Sequence, residues 1–190
     1  LDATWDAICK QQCGIDHIQR FDVSEYDSQI AAEVPEFEMH EAVDPKLAKR
    51  ADRFTVFALH ACQNALEQAG LEIGEDNRDR VGVLIGSGIG GMETWEEQFE
   101  RLLTKGPGRV SPFLVPMLIS DMASGLVSIM TGARGPNLAS VTACASATHS
   151  MGVAFDCIRH GRADVMISGG TEAAVTQTAL SGFCSARALS

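Results

Sequence analysis

Cys144 is the residue best placed for covalent chemistry in this chain of 190 residues. It lies between the apolar run NLASVTA and the run SATHSMGVAFDCIRH, a pattern that predicts a strand, a tight turn and a helix. At a helix start, free N–H groups and the helix dipole favour an anion, and the thiolate is the reactive form of cysteine. Cys144 is therefore a candidate nucleophile, with small neighbours that leave room for a substrate. The alternative is a small buried hydrophobic residue, the commonest role of a free cysteine.

A nucleophilic cysteine needs a base, and His149 is the nearest histidine in the sequence. Five residues along a helix rotate His149 about 140° away from Cys144 and move it roughly 7.5 Å along the axis. We therefore expect His149 to pack or to form hydrogen bonds in the core. His160 is expected in the last helical turn before Gly161, where a cation suits the helix C-terminus. The remaining histidines belong to no motif that would bring them to the thiol: His17, His40 and His60.

The loop GSGIGG, residues 86–91, follows a strand-like run and opens a helix, which is the position of a dinucleotide-binding fingerprint. The acidic residue expected at the end of a second strand, about twenty positions later, is missing. That region reads GPGRVSPF. The alternative is that the glycines let the backbone pass close to other parts of a packed core. The sequence favours this alternative over a nucleotide site.

Composition and charge limit the classes of function. The chain has 45% hydrophobic and 21% charged residues, as expected for one globular domain. Its net charge of −10 argues against broad nucleic-acid binding, which needs a basic surface. No apolar run approaches about eighteen residues, so we expect no membrane span. The first residues, LDATWDAICK, do not read as a secretory signal, so the six cysteines are expected to be reduced thiols in a cytoplasm.

Cys9, Cys13 and His17 follow one another at four-residue steps, which raises the question of a metal site. Gly14 is expected to end the helix that carries the two thiols. No second pair of Cys or His stands at a typical ligand spacing. We therefore predict no metal.

Strands alternate with helices along the chain, which predicts an α/β fold with parallel pairing. The predicted strands cover 81–85, 137–143 and 163–170, and an irregular acidic stretch covers 21–45. The predicted helices cover 3–12, 46–70, 116–132 and 146–160, with one more that starts at Met92.

Two helix faces carry specific expectations. Basic residues recur at i, i+3, i+4 and i+7 and should share one face of a helix: Lys46, Lys49, Arg50 and Arg53. Apolar residues mark the buried face of the next helix: Met92, Trp95, Phe99 and Leu102.

The stretches GPNLASVTACASATHSMG, GRADVMISGGTEA and GFCSARALS together resemble the β-ketoacyl-[acyl-carrier-protein] synthases of fatty acid synthesis, the type II enzymes above all. The likeness extends upstream through VGVLIGSGIGGMETWEEQ and SPFLVPMLISDMASGLVSIMTGARGPN. It implies a thiolase-like α/β fold, layered αβαβα, of which residues 1–190 are the first half of a duplicated core. We expect the chain to begin after the family's first strand and to stop before its second half, and this half not to fold alone.

The resemblance implies a condensing reaction without a cofactor. An acyl chain would pass from acyl carrier protein to Cys144, and malonyl-loaded carrier protein would lose carbon dioxide. The carbanion would then attack the acyl-enzyme thioester, with the backbone N–H of Cys144 as one oxyanion donor. The catalytic histidines and lysine are expected in the second half, which accounts for the missing base.

The resemblance also implies a pocket and a partner surface. Ile89 and Phe183 would line the acyl pocket, and a homodimer in the cytoplasm, or in a plastid stroma, is expected. A basic surface would meet the acidic carrier protein: Lys46, Lys49, Arg50, Arg109 and Arg187. Asp121 stands where the family usually has asparagine.

Three alternatives remain at this stage. A polyketide ketosynthase more often reads DTACSSS at the nucleophile, whereas this chain reads VTACASA. A non-catalytic chain-length partner of a polyketide system typically lacks the cysteine that this chain retains. A nucleotide-binding α/β module would rest on the glycine loop alone.

Overall fold

Eight α-helices and five β-strands form within residues 2–189, the part of the chain that the computed structural model describes. The helices are α1 (Asp2–Cys9), α2 (Pro45–Ala48), α3 (Arg53–Ala69), α4 (Met92–Lys105), α5 (Leu114–Leu118), α6 (Met122–Thr131), α7 (Ser146–Arg159) and α8 (Gln177–Ser185). The strands are β1 (Asp16–His17), β2 (Ile30–Ala31), β3 (Val81–Gly86), β4 (Asn137–Leu138) and β5 (Val165–Gly170).

The chain divides into two compact units. The larger unit runs from Glu38 to Ala174, and the smaller combines the residues up to Phe37 with those from Val175 onward. The smaller unit contains α1, the antiparallel pair β1–β2 and α8. Its core consists of Ile18, Val23 and Leu180, each at most 6% exposed.

The larger unit is built on a parallel sheet with strand order β4–β3–β5. The central strand β3 is buried at all six positions, and helices α6 and α7 both pack against it. This burial explains why VGVLIG is continuously apolar or small rather than alternating, as is typical of a central parallel strand. The predicted α/β fold with parallel pairing is confirmed.

The core of the larger unit joins α3, β3 and α6. Phe54, Leu59, Val83 and Val127 are completely buried. Burial of each such side chain stabilises the fold by about 1.5–3 kcal/mol. The sheet that leads to Cys144 therefore rests on the best-packed part of the chain.

The predicted single helix over 46–70 is wrong, because the chain breaks between α2 and α3. The side chain of Asp52 accepts a hydrogen bond from the backbone N–H of Phe54 and so begins a second helix. Lys49 is the C-terminal cap of α2, and Arg50 lies in the connection. The four basic residues therefore do not share one helix face.

The predicted buried face of α4 is also wrong. Phe99 and Leu102 are 45% and 38% exposed, whereas Thr94 and Gln98 are buried. The reason is hydrogen bonding: the N–H of Thr94 donates to Asp52, and the side-chain oxygen of Gln98 accepts from the N–H of Ser111 at 2.7 Å. Two polar residues of α4 therefore face the interior, while Met92 and Trp95 of the predicted apolar face are half-buried.

Three further predicted elements are shorter than expected. Helix α1 ends at Cys9 rather than at residue 12, and the predicted helix 116–132 is interrupted between α5 and α6. The predicted strand 137–143 pairs only at Asn137 and Leu138. Beyond these two residues, the side chain of Ser124 takes the place of strand pairing. Its Oγ accepts a hydrogen bond from the N–H of Ile85 at 2.8 Å and donates one to the carbonyl of Leu138 at 2.6 Å. This hydroxyl bridges β3 and β4 where the ladder stops.

Candidate functional site

Cys144 lies in a short 3-10 turn, Ala143–Ala145, directly before α7. Strand β4, the turn and α7 therefore follow in the predicted order. The thiol is exposed in this chain, so Cys144 is not the small buried residue of the alternative interpretation. Among the described residues, its side chain is therefore accessible at the start of a helix.

The backbone before Cys144 is held in an unusual conformation. Ala143 has a φ of 51°, in the left-handed region that costs a non-glycine residue about 1–2 kcal/mol. The buried hydroxyl of Ser146 stabilises the turn through two hydrogen bonds. It accepts a hydrogen bond from the N–H of Thr142 at 2.9 Å and donates one to the carbonyl of Ala143 at 2.8 Å. The strain is thus confined next to the candidate nucleophile, as is common at functional sites.

A second layer of serines supports this turn. The hydroxyl of Ser140 donates to the carbonyl of Ser146 at 2.9 Å and lies 2.7 Å from the hydroxyl of Ser150. The end of β3 passes directly beneath, because a Cβ on Gly86 would lie 2.6 Å from the carbonyl oxygen of Ser146. Only glycine fits there, which supports the packing interpretation of the glycine loop.

His149 forms a hydrogen bond but not the one a catalytic base needs. Its Nδ1 lies 2.7 Å from the hydroxyl of Thr142. The predicted hydrogen-bonding role is therefore confirmed, whereas the expected core position is wrong because the side chain is exposed. His149 braces the residue that precedes the left-handed Ala143.

The glycine loop after β3 binds a carboxylate of the same chain. Glu172 Oε2 accepts hydrogen bonds from the N–H groups of Gly88 at 2.7 Å and Ile89 at 3.1 Å. The hydroxyl of Ser87 donates to Oε1 of Glu172 at 3.2 Å. Consecutive amides of this kind also bind phosphate, so Glu172 engages the groups that a nucleotide would use.

The predicted carrier-binding residues of the larger unit are accessible. Lys46, Lys49, Arg50 and Arg109 are all exposed. The guanidinium of Arg50 lies 4.9 Å from the centre of the Phe113 ring, four residues after Arg109. Arg50 therefore contacts the segment that carries Arg109.

The remaining predicted residues are described within their own units. Ile89, in the larger unit, and Phe183, on α8 of the smaller unit, are each 42% exposed. Arg187 follows α8, is exposed and has a φ of 50°. Asp121 precedes α6, is exposed and forms no side-chain cap with that helix.

A family model for the β-ketoacyl synthase N-terminal domain matches residues 1–190 of the chain. The chain belongs to this family. The resemblance drawn from the motifs around Cys144 is thereby confirmed.

Two curated relatives from different bacteria carry the same name. The chain is 52% identical over 190 residues to the 3-oxoacyl-[acyl-carrier-protein] synthase 2 of Staphylococcus aureus, a match that covers 100% of the chain and 47% of that protein. A 49% identical match to the synthase of that name from Synechocystis covers 46% of it. The chain therefore spans about half the length of the curated relatives it matches.

Solved structures confirm the predicted thiolase-like fold. A β-ketoacyl synthase from Burkholderia phymatum superposes with a TM-score of 0.87 at 25% identity, over 100% of this chain and 47% of that one. A ketosynthase of a type II polyketide system, solved with its acyl-carrier protein, gives a TM-score of 0.74 at 21% identity, over 79% of this chain and 43% of that one. The second likeness concerns the fold alone.

Sequence reasoning missed two groups at this candidate site. The first is Glu172, whose only signal is its place in the stretch ISGGTEA at the end of β5. The second is the serine set of residues 140, 146 and 150, which lie on both sides of the turn in the sequence.

Among residues 2–189 no group of three His, Cys, Asp or Glu side chains could hold a metal ion. Over the same residues, no helix is both long and apolar enough to cross a membrane.

Proposed function

We propose that this chain supplies the N-terminal half of a 3-oxoacyl-[acyl-carrier-protein] synthase and that Cys144 is its nucleophile. The observation that carries the proposal is the 52% identity to a synthase of that name over the whole chain. The exposed thiol of Cys144 in a strained turn before α7 supports the assignment of the nucleophile.

The proposed reaction has two halves. In the first, the sulfur of Cys144 attacks the thioester carbonyl of an acyl carrier protein; the new C–S bond forms as the carrier thiol leaves with a proton. In the second, malonyl-carrier protein loses carbon dioxide, and its carbanion attacks the Cys144 thioester. A C–C bond forms, the bond to Cys144 breaks, and the product is a 3-oxoacyl chain on the carrier. The covalent intermediate divides one difficult step into two easier ones.

The chain's own residues hold the nucleophile in position. Ser146 clamps the turn, and the backbone N–H of Cys144 is proposed as one donor to the oxyanion that develops at each carbonyl. Ile89 and Phe183 are proposed to line the acyl pocket. The general base and the second oxyanion donor are proposed to come from the second half of the enzyme.

The proposed partners are acyl- and malonyl-loaded carrier proteins and a second copy of the enzyme, in the cytoplasm. A carrier protein is acidic, and this chain, with a net charge of −10, needs a local basic surface to attract one. That surface is proposed to consist of Lys46, Lys49, Arg50, Arg109 and Arg187.

Acyl transfer to the full-length protein tests the proposal directly. The enzyme is mixed with carrier protein bearing a tetradecanoyl group, and peptide mass spectrometry locates any acyl adduct. We expect the adduct on Cys144 and its loss in Cys144→Ser, with Cys9→Ser as the matched control. Carrier binding without any adduct on Cys144 would contradict the proposed nucleophile.

A further inference from the structure

The backbone next to Glu172 is anchored by hydrogen bonds that do not involve the Glu172 side chain. The preceding residue, Thr171, donates its backbone N–H to the carbonyl of Gly86 at 2.9 Å. The Thr171 hydroxyl donates to the carbonyl of Phe54, which is fully buried at the start of α3. The backbone at Glu172 is therefore anchored to both β3 and α3.

From this anchored position, one carboxylate binds three residues of the glycine loop directly and a fourth through Ser87. Oε2 accepts from the two consecutive N–H groups of Gly88 and Ile89, and Oε1 accepts from Ser87. The oxygen of Ser87 in turn accepts from the N–H of Gly90 at 3.0 Å. Hydrogen bonds to an ionised carboxylate are stronger than those between neutral groups. Four successive residues thus take their position from Glu172.

The ordered loop lies next to the turn that carries Cys144. A Cβ on Gly88 would lie 2.8 Å from Oε2 of Glu172 and 3.5 Å from the carbonyl oxygen of Ala143. Gly88 therefore lies close both to the carboxylate of Glu172 and to Ala143, the residue before Cys144. Ile89 follows, with its side chain 42% exposed and its backbone N–H bound to Glu172.

We propose that Glu172 is a positioning residue that sets acyl-chain selectivity by fixing the backbone of Gly88 and Ile89 beside Cys144. The proposal rests on the proposed function, because it takes the side chain of Ile89 as part of the acyl pocket. Without the carboxylate, two adjacent amides lose their acceptor and the loop gains alternative positions. Ile89 then no longer presents a single shape to the acyl chain.

Three variants of the full-length protein distinguish the effect of the Glu172 charge from the effect of its side-chain length. Glu172→Ala removes the acceptor, and Glu172→Asp keeps the charge but shortens the side chain by one methylene. Glu172→Gln keeps one oxygen for the Gly88 and Ile89 amides, while its NH₂ group can donate to Ser87. Glu100→Ala, at an exposed position on α4, is the matched control.

The first readout is the ratio of Cys144 acylation rates for the acyl chain that the wild type transfers fastest and the one it transfers slowest. We expect this ratio to fall about tenfold in Glu172→Ala and Glu172→Asp, because in both variants the N–H groups of Gly88 and Ile89 lose their acceptor. Glu172→Gln should stay within about twofold of the wild type. Inactive protein lowers both acylation rates by the same factor and leaves their ratio unchanged. If Glu172→Ala lowers both rates but keeps the wild-type ratio, the proposal is overturned.

The second readout is hydrogen exchange of the peptide spanning 86–91, which needs no activity. Exchange should be about tenfold faster in Glu172→Ala and unchanged in Glu172→Gln and Glu100→Ala. If the wild type forms no Cys144 adduct, the proposed function fails, and this proposal about selectivity fails with it. If the wild type is acylated but neither exchange nor ratio changes in Glu172→Ala, only the role of Glu172 fails.

Discussion

The Oδ2 atom of Asp52 accepts a hydrogen bond from the backbone N–H of Thr94 at 2.8 Å, which joins the start of α3 to the start of α4. The other carboxylate oxygen accepts from the N–H of Phe54 at 3.2 Å. Asp52 is only 2% exposed, so one buried carboxylate caps two helices whose first turns would otherwise leave N–H groups without acceptors. The negative charge also suits the positive ends of both helix dipoles.

Replacement of Asp52 should therefore destabilise the protein more than loss of an ordinary helix cap. We expect Asp52→Ala to lower the free energy of unfolding by about 3 kcal/mol, because two buried amides lose their acceptor. Urea titration of the full-length protein measures this change. The control is Asp44→Ala, which removes the single exposed cap of α2 and should cost about 1 kcal/mol or less. Equal losses in the two variants would contradict the double-cap role of Asp52.

The ion pair between Arg80 and Asp164 should make stability depend on pH. Arg80 donates to Asp164 from Nη2 at 2.7 Å and from Nε at 3.1 Å, and these hydrogen bonds lower the pKa of the Asp164 carboxyl below its usual 3.8. Because the folded pKa is lowered, the stabilisation is present above about pH 4 and is lost as pH falls below it. Asp164→Asn should lower Tm by about 1–3 °C at neutral pH, a small change since both side chains are solvent-exposed.

The Asp164→Asn test compares melting temperatures of wild type and variant from pH 7 down to about pH 3. The difference should shrink toward zero at the acid end, where Asp164 is protonated in the wild type. Glu75→Gln, which removes the exposed local pair between Glu75 and Arg78, is the matched control. A Tm difference that stays constant with pH would contradict the ion-pair explanation.

Thiol reactivity should distinguish Cys62 from Cys144. Burial raises the pKa of the Cys62 thiol to about 11, so at about pH 8 roughly one Cys62 in a thousand is ionised. Since iodoacetamide reacts with the thiolate, we expect Cys144 to be alkylated at least about tenfold faster than Cys62 in the folded protein. In urea the two rates should converge. Labelling of folded Cys62 as fast as Cys144 would contradict the burial of Cys62.

If the proposed basic surface binds a carrier protein, its charge should govern that binding. Lys46→Glu combined with Lys49→Glu should weaken binding of the acidic carrier about tenfold or more at low salt, chiefly through slower association. The effect should diminish at high salt, since screening acts on exposed charges. Surface plasmon resonance of the full-length protein measures both rates, and Lys46→Arg with Lys49→Arg should bind as the wild type does. Unchanged association in the charge-reversal variant would exclude this surface.

Local sequence was sufficient for the elements that depend on neighbouring residues. The run VGVLI predicts a buried strand, and the small residues around Cys144 predict the turn before α7, as the structure shows. Gly70 ends α3 with a left-handed φ of 58°, a conformation that glycine adopts without strain. Hydrophobic period and glycine position act over a few residues, so a single sequence reveals them.

Tertiary structure alone decided the features that rest on partners distant in the chain. Asp52 and Thr94 are 42 residues apart, yet their hydrogen bond joins α3 to the start of α4, where Thr94 is buried while Phe99 and Leu102 are exposed. Glu172 lies 84 residues after Gly88 in the sequence, yet its carboxylate binds the N–H of Gly88. The local sequence of that glycine loop is similar to a dinucleotide-binding motif. A buried backbone N–H group needs a hydrogen-bond acceptor. The periodicity of the sequence does not show which distant side chain supplies that acceptor.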